Sequence, residues 1–431
     1  MLAFVDQQEI AGFDGTKEGA AFTWEGENVV HLHVARPLHG YGKESLCLFT
    51  DDTRVLQTQD GNLAKYDYVV IVGESSVEAF AAQRDSRSAS SAATWQKMEL
   101  EFIPDRENLY SRSKGILEVN VLAPKRVMIV GLGSFGSQIA VELAKAGVGG
   151  FSLFDFDRVE LHNLMRHTCV VNDLGRLKTD AIRDAILGKN PYAIVDRFPV
   201  DINKALTLLE EEVAKADLVI CATDNNKSRF NLNAAVVKQK KTCIFGRANT
   251  RAAGGDVFRY VPGGPCYNCL LGNAWFSGDA EEITDVESGR RNGQIAAYVS
   301  AEDANAVVQV GLSADIAPIC NMMVKLTLVE LSRGAESGIS ALEEELVYDY
   351  YMWANRRENR FENWSPMPGA GPKPTILRWY GCKMAKLENC AFCGETDEIS
   401  LDEGEEVERM MRGLFKSDLS AAKNSATADT E

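Results

Sequence analysis

RVMIVGLGSFGSQIAVELAKAGVGGFSLFDFD, residues 126–157, is the stretch on which the fold turns. Four apolar residues, Val127 to Val130, predict a buried strand. Gly131, Gly133 and Gly136 follow as G-x-G-x-x-G. Glycines at that spacing permit a tight turn and let backbone amides come close to a phosphate. Ser137 to Ala146 predicts a helix, with Ile139, Ala140, Leu143 and Ala144 as its apolar positions and Gly147, Gly149 and Gly150 at its end. The N-terminus of such a helix presents partial positive charge to an anion. A second strand, Phe151 to Phe154, delivers Asp155 nineteen positions after Gly136, where a carboxylate accepts hydrogen bonds from a ribose. The unit predicts a nucleotide site. An ordinary NAD-binding enzyme is its plainest reading in isolation, so the surrounding chain has to decide.

The chain has 431 residues, enough for two or three domains. Its formal net charge of −16 argues against a duplex nucleic-acid partner. No apolar run approaches membrane-spanning length, so no membrane partner is expected. The opening MLAFVDQQEI has no basic residue and carries Asp6 within its apolar run, unlike a secretory signal. Of ten cysteines, four stand as two C-x-x-C pairs, Cys266/Cys269 and Cys390/Cys393; Cys47, Cys169, Cys221, Cys243, Cys320 and Cys382 stand singly. That usage predicts a reducing, cytoplasmic setting with one metal site rather than a disulfide framework.

Residues 1–105 read as a small α+β domain. Phe22–Trp24, Val29–Val34, Ser45–Thr50 and Tyr68–Val72 predict strands, Val77–Gln83 a short helix, and 86–94 a loop. His31 and His33 share one face of a strand; partly exposed strand histidines are far commoner than a metal pair. No chemistry is evident here, and partner binding or dimerisation is the default role.

Residues 106–395 alternate strand and helix. Lys178 opens a helix to Leu187, Leu218–Ala222 is a strand ending at Thr223-Asp224, Ser228–Val237 a helix and Thr242–Phe245 a strand. This predicts an α/β, Rossmann-like, doubly wound, mostly parallel sheet with ligands at the strand C-termini. An acidic, weakly periodic stretch over about 270–305 reads as a long functional loop. Ile316–Leu331 predicts a helix, Thr375–Tyr380 a strand, and 396–431 an acidic disordered tail.

The polar segment after Phe154 adds a resemblance. Asp155, Asp157, Glu160, Asn163, Arg166 and His167 resemble the D-x-D-x-V-x-x-x-N-L-x-R-Q stretch of the ThiF/MoeB/ubiquitin-activating (E1) adenylating family. Further pieces stand in the same order. Leu109-Tyr110-Ser111-Arg112 resembles R-Y-x-R-Q, and Gly175-Arg176-Leu177-Lys178 resembles G-x-x-K. Cys221 to Asn225 with Arg229 and Asn233 resembles C-x-D-N-x-x-x-R-x-x-x-N, and the two C-x-x-C pairs resemble the zinc halves. The resemblance covers roughly 107–395; His167 replaces the usual Gln and Leu109 the usual Arg.

It implies an E1-like domain that uses MgATP. The residues suit that chemistry: Arg166 and Lys178 are cations for phosphates, and Asp224 is a strand-end carboxylate for Mg²⁺. Gly131, Gly133, Gly136, Asp155, Asp157 and Asn163 complete the expected nucleotide set. Each has a plainer reading: Arg166 a surface ion pair, Lys178 a solvated helix residue, Asp224 a helix N-cap. Their order and company weigh against those. Cys266, Cys269, Cys390 and Cys393 suit a closed, structural four-thiolate zinc site. In the family the counterpart of Arg112 enters the neighbouring protomer's site, which implies a homodimer; alone, Arg112 is a surface residue.

The implied reaction is adenylation of the C-terminal carboxylate of a small ubiquitin-like or sulfur-carrier protein, with pyrophosphate released. The 270–305 loop would cover the incoming tail, and an E2-like or sulfurtransferase partner would take the product onward. Three alternatives stay open: a peptide-adenylating enzyme, a tRNA-base-activating dehydratase, and an inactive E1-like scaffold. Thioester formation would need a reactive thiol. Val307 to Gly311 lacks one where the family places it, and Cys320, Cys221 and Cys243 fall in apolar runs. Cys382, expected just beyond its strand and beside Lys383, is the first candidate, although packing near the zinc cysteines is its commoner fate.

Overall fold

The computed structural model describes residues 1–11, 13–34, 43–57, 61–84, 94–103, 106–272, 311–336, 339–358, 361 and 375–394. The expected covering loop beyond residue 272, Val307 to Val310 and the tail after 394 lie outside them. The chain divides into two compact units, Met1–Arg112 and Ser113–Glu431.

The first unit is built on a mixed eight-stranded sheet: β1 (Leu2–Asp6), β2 (Thr16–Thr23), β3 (Val29–His33), β4 (Lys43–Thr50), β5 (Tyr68–Val72), β6 (Val77–Gln83), β7 (Thr94–Lys97) and β8 (Glu99–Ile103). Their spatial order is β7-β6-β5-β4-β2-β3-β1-β8. Short helices α1 (Gln7–Ala11) and α2 (Arg106–Leu109) accompany it. Val77–Gln83 is therefore a strand, not the expected helix. Gly73 N–H bonds Ser76 C=O across a tight turn, and β6 returns antiparallel to β5 with Val70 opposite Ala79. Its side chains then alternate: Val77, Ala79 and Ala81 join the core around Val30, Leu32 and Phe49, while Phe80 packs on the other face against Val69 and Ile71. An alanine-rich segment has good helix propensity, but an available strand neighbour overrides it. His31 and His33 do share a face, rings 6.4 Å apart, and His31 packs against Phe4 and Trp24.

The second unit holds another eight-stranded sheet: β9 (Arg126–Val130), β10 (Gly150–Phe154), β11 (Ile194–Phe198), β12 (Leu218–Cys221), β13 (Cys243–Ala248), β14 (Gly254–Tyr260), β15 (Tyr350–Ala354) and β16 (Arg378–Cys382). The order is β11-β10-β9-β12-β13-β14-β15-β16. From β11 to β13 neighbours are parallel; from β13 onward they are antiparallel. The parallel half has the dinucleotide-fold order, with the first strand, β9, at its centre. The helices are α3 (Val119–Leu122), α4 (Ser134–Ala146), α5 (Lys178–Leu187), α6 (Leu206–Lys215), α7 (Asn226–Lys238), α8 (Tyr267–Gly272), α9 (Ser313–Ser332) and α10 (Ser340–Glu345).

Both faces of the sheet are covered. Val127 and Ile129 pack with α4, α5 and α9 through Ile139, Leu143, Ile182, Ile319 and Met323. Met128 and Val130 pack with α6 and α7 through Leu209, Val213, Phe230 and Leu232. Strands sandwiched this way read as apolar runs, which is why β9 and β12 are so legible. No helix among the described residues is long and apolar enough to cross a membrane.

Candidate active site

The site begins where β9 ends. Gly131 takes φ +86°, and a Cβ there would stand 2.7 Å from the Ala222 carbonyl; one at Gly136 would stand 1.9 Å from the Gly131 carbonyl. Gly133 faces open space. The first and third glycines thus serve the turn and the packing of α4, and the second leaves backbone exposed for a ligand. The helix starts at Ser134, three residues earlier than the sequence pattern suggests.

Two side chains clamp the backbone of Leu132 within this loop, one on each of its flanking peptide groups. Asp155 Oδ2 accepts the Leu132 N–H at 2.7 Å, and its Oδ1 accepts the Asp157 N–H at 2.8 Å. Burial raises the Asp155 pKa, offset in part by Lys178. A carboxylate has about four acceptor positions, so two are left for a ribose. His167 Nε2 lies 2.6 Å from the Leu132 carbonyl, and the Cys169 N–H donates to Nδ1 at 3.1 Å. The neutral ring therefore carries its proton on Nε2. The sequence flags His167 only as a departure from a motif; its bond to a residue 35 positions away has no sequence signal.

Lys178 opens α5 and is 8% exposed. Its ammonium donates to Asp157 Oδ2 at 2.8 Å. Burial lowers its pKa, but Asp155, Asp157 and Asp224 outweigh that and raise it overall, so the cation is kept. Arg166 is half-buried, which lowers its pKa, and Gln138 Nε2 donates to its carbonyl. Asn163 caps its own turn, accepting the Glu160 N–H at 3.0 Å. Asp224 follows β12 and is exposed. The turn beyond it is braced by Arg229, 4% exposed, which donates to the Thr223 carbonyl at 2.8 Å.

Gly131, Gly133, Asp155, Asp157, Asn163, Arg166, Lys178 and Asp224 all line one cavity of about 1300 Å³. Gly136 sits behind it. Arg112, exposed at the end of the first unit, is not among the lining residues. Arg247, Asn249 and Arg356, which sequence reasoning did not single out, also line it.

The four paired cysteines meet as expected, with sulfur atoms all within 4.8 Å of one another. Cys266–Cys269, Cys266–Cys390 and Cys269–Cys393 are 4.0, 3.6 and 3.4 Å apart. A tetrahedral zinc with bonds of about 2.3 Å would space its sulfurs about 3.8 Å apart. The donor set therefore fits zinc. Hydrogen bonds from Cys266 and Cys269 hold the Cys390 thiol well below its ordinary pKa. Asn233 on α7 accepts the Tyr267 N–H at 2.9 Å and donates toward Cys266, and Asn268 donates toward Cys390.

Cys382 needs correction. It is the last residue of β16, not beyond the strand, because Leu377 takes φ +58° and the strand starts only at Arg378. Its neighbour Lys383 turns to Asp349 instead. Burial, then the Asp349 charge, raises the Cys382 pKa, so the cation expected to lower it does not dominate its surroundings. Cys320 is pushed up to about 12 by burial, and Cys221 and Cys243 are raised the same way.

A dinucleotide-type sheet with cations and carboxylates gathered at its strand ends defines a nucleotide-binding α/β protein. The ThiF family model matches residues 109–363, and the chain belongs to that family. It is 38% identical over 169 residues to the molybdopterin-synthase adenylyltransferase of Escherichia coli K12, covering 39% of this chain and 66% of that protein. It is 34% identical over 216 residues to the adenylyltransferase and sulfurtransferase MOCS3 of Culex quinquefasciatus, covering 48% of this chain and 47% of that one. The chain thus spans less than two thirds of each of these relatives. Among solved structures, Escherichia coli MccB with MccA-N7isoASN aligns at a TM-score of 0.44 and 20% identity, over 64% of this chain and 69% of that one.

Proposed function

We propose that this chain is an E1-like activating enzyme, which adenylates the C-terminal carboxylate of a ubiquitin-like or sulfur-carrier protein and releases pyrophosphate. The observation that carries the reading is the convergence of the glycine loop, Arg166, Lys178 and Asp224 on one cavity of about 1300 Å³. Pockets for a single small molecule run to about 1,000 Å³, so the volume suits a nucleotide together with a second substrate.

The chemistry follows from charge. A carboxylate oxygen forms a bond to the α-phosphorus of ATP as the bond to the bridging oxygen breaks, and pyrophosphate leaves with that electron pair. Arg166 and Lys178 would stabilise the phosphate oxygens through the transition state, and Gly133 with the start of α4 would offer backbone amides. Asp224 would hold Mg²⁺, which neutralises charge on the departing pyrophosphate. The cysteine cluster would hold a structural zinc, and a reducing, cytoplasmic setting suits its thiols. Arg112, carried by the first unit, would complete the site of a second protomer in a homodimer. The relatives' names support the adenylyltransferase reading.

ATP–pyrophosphate exchange tests it. The purified chain is mixed with ubiquitin-like proteins, sulfur carriers, tRNA, and short peptides, each acyl substrate with a free or an amidated C-terminus. Exchange that needs a protein's free carboxylate is the expected result. Exchange with short peptides alone, or with tRNA, transfers the reading to that branch. Nucleotide binding without exchange by any partner would leave a scaffold.

A further inference from the structure

The cysteine cluster and the Asp224 turn meet on one helix, α7. It begins at Asn226, two residues after Asp224, and is capped by Asn225, whose side chain accepts the Ser228 N–H at 2.9 Å. Each C-x-x-C loop sends an aromatic side chain to this helix. Tyr267 lies between Cys266 and Cys269, and Phe392 between Cys390 and Cys393. The Tyr267 ring meets Phe230 edge-on with centroids 5.8 Å apart, and the Phe392 ring stacks on Phe230 at 6.0 Å. Phe230 stands about one helical turn beyond Asn226.

Tyr267 does more than pack. It is fully buried, and its N–H donates to Asn233 Oδ1 at 2.9 Å. Asn233 in turn donates toward the Cys266 sulfur at 3.7 Å. The Tyr267 ring also stacks on Phe245 of β13 at 4.9 Å. A phenylalanine would supply all of that. The hydroxyl is what differs, because a buried phenol needs a hydrogen-bond partner. This one donates to Asn226 Oδ1 at 3.4 Å. The same oxygen accepts from Arg229 Nη1 at 3.1 Å, and Arg229 Nη2 donates to the Thr223 carbonyl at 2.8 Å. Thr223 is the residue before Asp224. A continuous path of hydrogen bonds thus runs from a cysteine loop to the backbone that carries the Asp224 carboxylate.

That carboxylate is exposed and follows the end of β12, so its direction depends on the turn beneath it. Direction matters for a divalent cation. Mg²⁺ demands near-octahedral oxygens at about 2.0–2.1 Å, and a carboxylate that is poorly held loses affinity for it. Residues that hold a ligand in place act on the metal through that ligand.

We infer that Tyr267 is a positioning residue for the reaction: anchored in the cysteine loop, its hydroxyl braces the Asn226–Arg229 support of the Asp224 turn. The inference rests on the adenylation reading, and the test separates the two.

Binding of adenosine 5′-(α,β-methylene)triphosphate to the full-length protein is measured by calorimetry, without divalent cation and with saturating Mn²⁺. The ratio of the two affinities reports what the cation gains at the site. Asp224→Ala should lose most of that ratio. Tyr267→Phe should keep the cation-free affinity and lower the ratio about fivefold, the effect of one hydrogen bond. Asn226→Ala should lower it at least as far. Adding Tyr267→Phe to Asn226→Ala should lower it no further, because the hydroxyl has already lost its acceptor. A Tyr267→Phe ratio equal to wild type, with Asp224→Ala impaired, would overturn the inference and leave the adenylation reading standing. Equal weakening with and without Mn²⁺ would reduce Tyr267 to packing and overturn it as well, and so would additive losses in the double variant. If Asp224→Ala keeps the wild-type ratio, or the wild type does not bind the analogue, the reading of the site itself fails and the inference falls with it.

Discussion

The two sheets have equal numbers of described strands and opposite habits with charge. In the first unit, ion pairs such as Lys65–Glu18 and Arg84–Asp67 stand at the surface, each partner at least two-fifths exposed. Pairs of that kind contribute about 0–1 kcal/mol and shape nothing nearby. In the second unit, Lys178 is buried to 8% exposure beside Asp157, burial raises the Asp155 pKa, and Arg229 is sunk beneath the Asp224 turn. Desolvated charges gathered at parallel strand ends are costly, and a protein keeps them where a ligand repays the arrangement. The first sheet has no such gathering among its described residues, and its core is one apolar layer with a smaller cluster behind. The contrast supports the proposal that the chemistry belongs to the second unit, with recognition or assembly proposed for the first.

The largest effect should come from Asp224. Asp224→Ala should reduce ATP–pyrophosphate exchange by at least about 10³-fold, with melting behaviour kept because the side chain is exposed. Exchange near the wild-type rate would break the comparison, since the strand-end charges would then be ornament.

Next comes the cysteine cluster, which also belongs to the second unit. Metal analysis should find about one zinc per chain. Cys390→Ser should lower the melting temperature of the second unit by roughly 10 °C and leave the transition of the first unit in place. A metal-free preparation that melts like the wild type would remove zinc from the account.

How much of this was open to sequence reading depends on distance along the chain. The glycine loop, the strand on each side and the α4 helix are local, so 126–157 spelled them out. The cysteine pairs carry their own spacing. Val77–Gln83 failed because its partner strand, not its composition, decides its state. Cys382 was misplaced because a single left-handed residue, Leu377, delays the strand that contains it. Asn249 carries no sequence signal, because burial of its side-chain amide without a hydrogen-bond partner among the described residues is a property of the fold alone.

A third experiment attacks the division of labour directly. Arg112 ends the unit that otherwise lacks chemistry. If it serves a partner's site, Arg112→Ala and Lys178→Ala subunits should each be inactive, and their equimolar mixture should regain activity in about a quarter of its sites. Half the dimers would then be mixed, each with one intact composite site. No recovery after confirmed subunit exchange would confine Arg112 to its own unit and sharpen the contrast.

The smallest effect concerns His167, where the second unit's loop depends on a titratable ring. Its neutral form makes both bonds, Nε2–H to the Leu132 carbonyl and Nδ1 from the Cys169 N–H. Protonation places a hydrogen on Nδ1 and ends the second. Burial lowers the ring's pKa below 6.5; Lys178 also lowers it, while the bond to Leu132 and the charge of Asp173 oppose the shift. Because the folded pKa lies below the unfolded one, the contribution to stability is complete above the unfolded value. It is lost as pH falls from about 6.5 through the folded pKa. A glutamine amide offers the same donor and acceptor and does not titrate. His167→Gln should therefore match the wild type at pH 8 and become progressively more stable than it below about pH 6.5, by at most about 1.4 kcal/mol per pH unit. His167→Ala should be weaker at every pH, since the Leu132 carbonyl and Cys169 amide lose their partner. Melting temperatures of the three proteins from pH 5 to 8 decide the matter. A wild-type curve parallel to that of His167→Gln would show that the ring does not titrate in this range, and that the clamp on the glycine loop is indifferent to pH.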